Sequence, residues 1–237
     1  MLKEFVEKIT SLNENKIHEI NGEFYTEKRL ERVAPVIDRP TPIKTYSLDS
    51  IVKLITSEID AIKNRVFIQI EDVDEVAVFT TWDDMFVRST LYNARFRGIE
   101  QAPLWRSHDA AMIELRSRYV QNEGTEYLLN ILSRITDENS ITSRDNGITQ
   151  EVEARRGVSL ASKEVVKPRV KLIPYRTFSE VEQPESEFLV RLREGGEIGL
   201  FEADGGAWKL QARENIKNYF EANLKELVKQ GKVVVMI

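Results

Sequence analysis

Apolar residues recur along this chain at two periods, and the switches between them mark out its elements. Leu2, Phe5, Val6, Ile9 and Leu12 fall at helical spacing, which predicts a short helix over about 2–12. The Asn21-Gly22 pair suits a tight hairpin turn needing positive φ, with strands expected near 16–20 and 23–26. Pro35, Pro40 and Pro42 then predict an extended connector. Ser47 is a good N-cap, and Leu48, Ile51, Val52, Ile55, Ile59 and Ile62 behind it predict an amphipathic helix over about 48–63. Three alternating segments follow: Val66–Ile70, Val76–Thr81 and Phe86–Tyr92. The acidic links between them are too short for parallel crossovers, so an antiparallel meander is expected.

The second half repeats the mixture. Ser107 caps a helix expected over His108–Val120, and a second is expected over Glu123–Ile135, with a break at Gln121–Gly124. Thr136–Gly147 is polar and reads as a loop. Thr149–Arg155 and Val166–Ile173 alternate as strands do. Pro168 lacks a ladder donor, so the second of these should be an edge strand or bulged. Phe188–Arg193 and Glu197–Ala203 predict a hairpin around Glu194-Gly195-Gly196. A long helix over about 211–230, a Gly231 stop and a short strand over Val233–Ile237 close the chain. The fold class is α+β: mainly antiparallel sheets with packed helices. Two α+β parts, 1–100 and 140–237, are expected on either side of a helical connector, 101–139, with Gly98–Pro103 as the first boundary.

Composition narrows the chemistry. The 237 residues are 41% hydrophobic and 31% charged, as in a globular protein with a real core. No cysteine is present, which excludes disulfides, thiolate metal sites and cysteine nucleophiles. Two histidines, His18 and His108, leave little for a histidine relay. Neither Gly-x-Ser-x-Gly nor a glycine-rich phosphate loop occurs. No catalytic residue, metal site or cofactor is therefore expected. No apolar run is long enough to span a bilayer, and the N-terminus has no secretory apolar core, so membrane association is not expected and a cytoplasmic location is.

Charge supplies the candidate sites. The net charge of −5 is the wrong sign for a dedicated nucleic-acid binder, so nucleic acid is not an expected partner. Five bases and one acid lie between Lys163 and Arg176; four acids and no base lie between Ser179 and Glu187. These opposed stripes can pair within one chain, or between chains through an open strand edge. Lys167, Arg169, Lys171 and Glu185 are the candidate interface residues. The acids Glu180, Glu182, Glu185 and Glu187 match no cation-loop spacing. Gly205-Gly206 before the last helix reads as a turn, or as an anion cradle at a helix N-terminus. Tyr175, Arg176, Glu180, Glu182, Asp204 and Trp208 form the candidate ligand site; Arg176 should be held by Glu180 or Glu182.

One run carries a resemblance. PYRTF, SEVEQPES, EFLVRL and LFEADGGAWKLQA, spaced as they are from Pro174 onward, resemble the C-terminal signature of the YfdQ-like proteins, phage and prophage proteins of unknown function. Asn146–Gln150 looks like that family's lead-in, and Ser47–Ser50 resembles its N-terminal region. The similarity is dense over about 146–220. It implies a phage-encoded protein of the accessory or early class, working in the cytoplasm of the bacterial host, and supplies no catalytic residues. The leading expectation is a non-enzymatic, homo-oligomeric binding protein acting on a host factor or defence system. The alternatives are a small-molecule or nucleotide-sequestering protein and a DNA-associated recombination accessory.

Overall fold

The computed structural model describes residues 3–5, 17–20, 23–26, 40–62, 65–83, 86–98, 104–135, 140–145, 150–156, 159–193 and 197–237. The expected connector as far as residue 39, the boundary residues 99–103, the Asn146–Thr149 lead-in and the 194–196 turn lie outside the described residues. The chain divides into two compact units, 1–39 and 40–237. In the first, residues 3–5 are helical, and β1 (Ile17–Ile20) pairs antiparallel with β2 (Glu23–Thr26). The rest of the expected first helix lies outside the described residues.

The second unit holds two five-stranded sheets and one of three strands, with two hydrophobic cores. The first sheet has the order β15-β4-β5-β6-β3. Its centre is the expected meander: β4 (Val66–Asp72), β5 (Glu75–Thr80) and β6 (Thr90–Arg95), all antiparallel. Its outer strands, β3 (Ile43–Thr45) and β15 (Val233–Met236), are parallel to their neighbours. Helix α1 (Leu48–Glu58) and helix α4 (Trp208–Asn223) cover one face. Leu48, Ile51 and Ile55 from α1 and Ile216 and Phe220 from α4 are fully buried with Val66, Ile68, Val76 and Val78. The expected boundary near residue 100 therefore falls inside this unit, because C-terminal elements complete the core of the N-terminal sheet.

The second sheet has the order β7-β14-β13-β12-β8, where β7 is Trp105–Arg106, β14 Glu197–Glu202, β13 Ser186–Arg193, β12 Arg169–Pro174 and β8 Tyr119–Val120. Helices α2 (His108–Ser117) and α3 (Glu123–Ile135) bury Leu115, Leu128 and Leu132 against it. The three-stranded sheet is β11-β10-β9: Ser159–Val166, Gln150–Arg156 and Ser140–Asp145.

Several local expectations are realised. Ser47 and Ser107 cap their helices by accepting from Ser50 N–H and Ala110 N–H. Gly231 takes φ 66 and ends α5 (Lys225–Lys229). Others are corrected. Helix α2 stops at Ser117, and Tyr119–Val120 turn into the sheet edge. Ser140–Asp145, expected as loop, is a strand, because pairing with β10 supplies ladder bonds that its polar side chains do not advertise. The third meander strand begins at Thr90 instead of Phe86, because Phe86 and Val87 are engaged with Asp83 by backbone hydrogen bonds and not with β5. The last helix starts at Trp208 and breaks at Leu224, where φ is −113 and ψ 24. Pro168 lies between β11 and β12 and inside neither ladder; its carbonyl accepts Val190 N–H at 2.9 Å. Strand β12 pairs with β13 over Arg169–Leu172 and with β8 only at Ile173 and Pro174, so it has a strand on one side alone over most of its length.

Candidate functional site

The segment between β12 and β13 carries most of the residues expected to form a ligand site. It behaves first as a fastener. Phe178 is fully buried in the core of the first sheet, and Thr177 Oγ1 donates to Val73 O at 2.5 Å. Glu180 Oε1 accepts Leu48 N–H at 2.7 Å, at the open N-terminus of α1. The bonds to Val73 and Leu48 join residues 104 and 132 positions apart in the chain. Gln183 is buried; its Oε1 accepts Arg176 N–H and its Nε2 donates to Phe178 O, which fixes the shape of the segment itself.

Arg176, Asp204 and Trp208 do come together. The Arg176 guanidinium lies 3.8 Å from the centre of the Trp208 ring. It pairs with Glu202 and donates to Ser186 and to Pro184 O. Ser186 in turn donates to Asp204. The expected partners Glu180 and Glu182 do not hold Arg176: Glu180 caps α1, and Glu182 is exposed, with its carbonyl accepting from Asn215. Glu202 takes that place because the β13–β14 register sets it opposite Phe188, two residues beyond Ser186. Tyr175 is 42% exposed, and its N–H bonds Arg118 O.

Burial lowers the Arg176 pKa, and Glu202 and Asp204 oppose that shift. Burial pushes Asp204 up, but bonds from Ser186, Gly206 N–H and Trp208 N–H outweigh it and hold the carboxyl below its ordinary range. Asp204 thus fills the N-terminus of α4 with the chain's own carboxylate, while Gly205 and Gly206 take φ 64 and 82 to make the turn. Trp208 Nε1 and Arg176 Nε are buried without a hydrogen-bond partner.

The charge stripes meet across β12 and β13. Arg169 pairs with Glu187 at 2.6 Å and Lys171 with Glu185 at 2.8 Å, both within the chain. Lys167 Nζ lies 4.8 Å from the Tyr127 ring centre. The free side of β12 is closed by α3: Asn122 Nδ2 donates to Lys171 O at 3.1 Å. A Cβ on Gly124 would stand 2.1 Å from that same oxygen, so only glycine admits this approach. An open cleft of about 430 Å³ remains beside these residues.

A second aromatic–arginine cluster lies outside the candidates that the sequence suggests. On the first sheet, Val66 and Ile68 point into the core, so Phe67 points to the opposite face. Phe79 is its cross-strand partner, the rings 5.7 Å apart and 21° from parallel. The Arg88 guanidinium lies 5.2 Å from the Phe67 ring centre, 5.5 Å from Phe79 and 5.0 Å from Trp82. Arg65, Phe67, Thr81, Trp82 and Arg88 line a cleft of about 350 Å³. Trp82 is 56% exposed and Phe86 84%.

Phe86 is the one non-glycine residue with positive φ among the described residues, at 57. Asp83 imposes this: Phe86 N–H donates to Asp83 O, Val87 N–H to Asp83 Oδ1, and Asp83 N–H to Val87 O. A bulky residue in that region stores about 1–3 kcal/mol of strain, and here it brings a ring into solvent. The available signal was two phenylalanines on the parity that the meander leaves for polar residues.

Among the described residues no group of His, Asp and Glu is placed to hold a metal ion, and no helix is long and apolar enough to cross a membrane. No protein-family model, curated protein or solved structure matches this chain.

Proposed function

We propose that this protein acts by binding a partner, and that its recognition surface is the platform made by the outer face of β4 and β5 with Trp82, Phe86 and Arg88. The carrying observation is the Arg88 guanidinium over three rings, beside a Phe86 that the backbone holds exposed at a cost in strain. Tryptophan and arginine dominate the energetics of recognition surfaces, and strain at an exposed residue is expected where contact, not stability, selected it. In this proposal the protein is phage-encoded, as the resemblance over 146–220 implies, and serves an accessory or early role in the host cytoplasm. The small-ligand reading centred on Arg176 is less favoured, because Glu202, Ser186 and Pro184 O already take both terminal nitrogens of Arg176, and Asp204 takes Ser186.

The test is the double variant Trp82→Ala, Phe86→Ala made in the phage. The expected result is unchanged protein level and unfolding midpoint, with the phenotype of deleting the gene. Full function in the double variant, or a stability loss above about 2 kcal/mol, typical of core truncation, overturns the proposal.

Self-association is the second reading. Strand β15 bonds β4 on one side and closes the sheet on the other with only valine and methionine. It has neither the charges nor the proline that usually blunt an edge. Light scattering should give a mass above 27.4 kDa, falling to that value for Val234→Lys. A wild-type monomer across micromolar concentrations removes this reading.

A further inference from the structure

We infer that the platform around Trp82 binds single-stranded nucleic acid, taking one or two nucleotides with their phosphates. This rests on the platform being the recognition surface, and adds the ligand's chemistry. Two features must be matched at once. Trp82 lines the cleft and is 56% exposed, and Phe86, two residues from Arg88 in the chain, is 84% exposed, so both leave aromatic surface for a flat apolar group. Beside them stand two guanidinium groups, Arg65 and Arg88, both exposed and neither with a carboxylate partner among the described residues. The ligand is therefore planar and anionic. A nucleotide joins a stacking ring to a phosphate over the few ångströms that separate such groups, and the guanidinium fork suits phosphate oxygens. Single strands are favoured over duplex because their bases are free to stack.

Arg88 is already oriented for this. Its guanidinium carbon lies 5.0–5.5 Å from the three ring centres, and Nη1 donates to Thr80 O at 3.4 Å, which leaves further N–H groups for an anion. The floor, Phe67 and Phe79, belongs to two central strands of the sheet and needs no rearrangement. Net charge of −5 opposes polyanions at long range. A site that takes two phosphates and gains the rest from stacking is less dependent on that field than a groove that tracks the backbone. The basic stripe at Lys167–Lys171 is a poorer candidate, since Arg169 and Lys171 are spent on Glu187 and Glu185.

The experiment is fluorescence anisotropy with the full chain and labelled oligo(dT), at 25 and 150 mM salt, alongside the same sequence as duplex and a tyrosine-containing acidic peptide. The expected result is oligo(dT) binding that weakens about tenfold between the two salts, the value for two phosphates on a single strand. Trp82→Ala and Phe86→Ala should each weaken it about 5- to 150-fold, the range for losing one stacked base. Trp82→Phe should keep most of the affinity, with unfolding midpoints unchanged in all three. No oligo(dT) binding at low salt, or binding that ignores Trp82, overturns the inference. Peptide binding that depends on Trp82, without oligo(dT) binding, overturns the ligand class and leaves the recognition surface standing. If neither probe binds and the phage double variant is also silent, both fail.

Discussion

Two arginine–tryptophan pairs sit in this molecule in opposite circumstances. Arg176 lies 3.8 Å from the Trp208 ring centre, with 14% of its side chain exposed, paired to Glu202 and bonded to Ser186 and Pro184 O. Arg88 lies 5.0 Å from the Trp82 ring centre, exposed and over two further rings. The first pair is enclosed by neighbours that use its hydrogen bonds. The second stands in solvent, with Trp82 56% exposed and no carboxylate on Arg88 among the described residues. The contact is the same; its surroundings decide whether it holds the fold or offers a surface.

The sharpest way to break this contrast is at Phe178, which carries the segment between β12 and β13 into the first core. Phe178→Ala should cost about 3–5 kcal/mol in equilibrium unfolding, as buried aromatic truncations do. A loss under about 1 kcal/mol would mean that the segment does not fasten the sheet. Gly124→Ala comes next. Its Cβ would meet the backbone oxygen of Lys171, so α3 must retreat from β12. A loss of about 1–3 kcal/mol is expected, measured by urea midpoint at constant slope.

Asp204→Ala should cost about 1 kcal/mol at neutral pH, the usual value of a helix cap. The pH dependence has a definite sign. The folded carboxyl is held below its ordinary value of about 3.9. Its contribution is therefore present above that value and lost as pH falls through the lower folded one. The gap between wild type and variant should begin to close as pH falls below about 4 and disappear only below the lower folded value; a gap that does not narrow as pH falls would assign the loss to packing. The smallest effect belongs to Trp208→Phe. It keeps a ring under Arg176 and removes a buried donor that has no partner. Stability should stay within about 1 kcal/mol of wild type, or rise, because an unsatisfied buried donor is itself costly.

Much of the fold is written in local pattern. Ser47 and Ser107 as caps, Gly231 as a stop, and the antiparallel meander are each decided within a few residues. What local pattern does not carry is pairing at a distance. Strand β15 runs parallel to β4 across most of the chain's length, and nothing in Val233–Met236 specifies that neighbour. Ser140–Asp145 reads as polar loop until β10 supplies its partner.

The candidate sites divide the same way. Arg176, Asp204 and Trp208 are legible as candidate ligand residues, and they do meet. Glu202 as the partner was not, because only the β13–β14 register sets it there. The Trp82 platform was hidden for a different reason. Phe67 and Phe79 look like ordinary core aromatics until Val66, Ile68 and Val78 are seen to take the core face.

The most direct test of the contrast is equilibrium urea unfolding of Arg176→Ala beside Arg88→Ala in one buffer. Arg176→Ala should lose about 2–3 kcal/mol, because it unpairs Ser186 and Pro184 O, uncovers the Trp208 ring and breaks the half-exposed pair with Glu202. Arg88→Ala should lose at most about 1 kcal/mol, the scale of an exposed cation–π contact. Equal losses, or a larger loss at Arg88, would contradict the assignment of one cluster to the fold and the other to recognition.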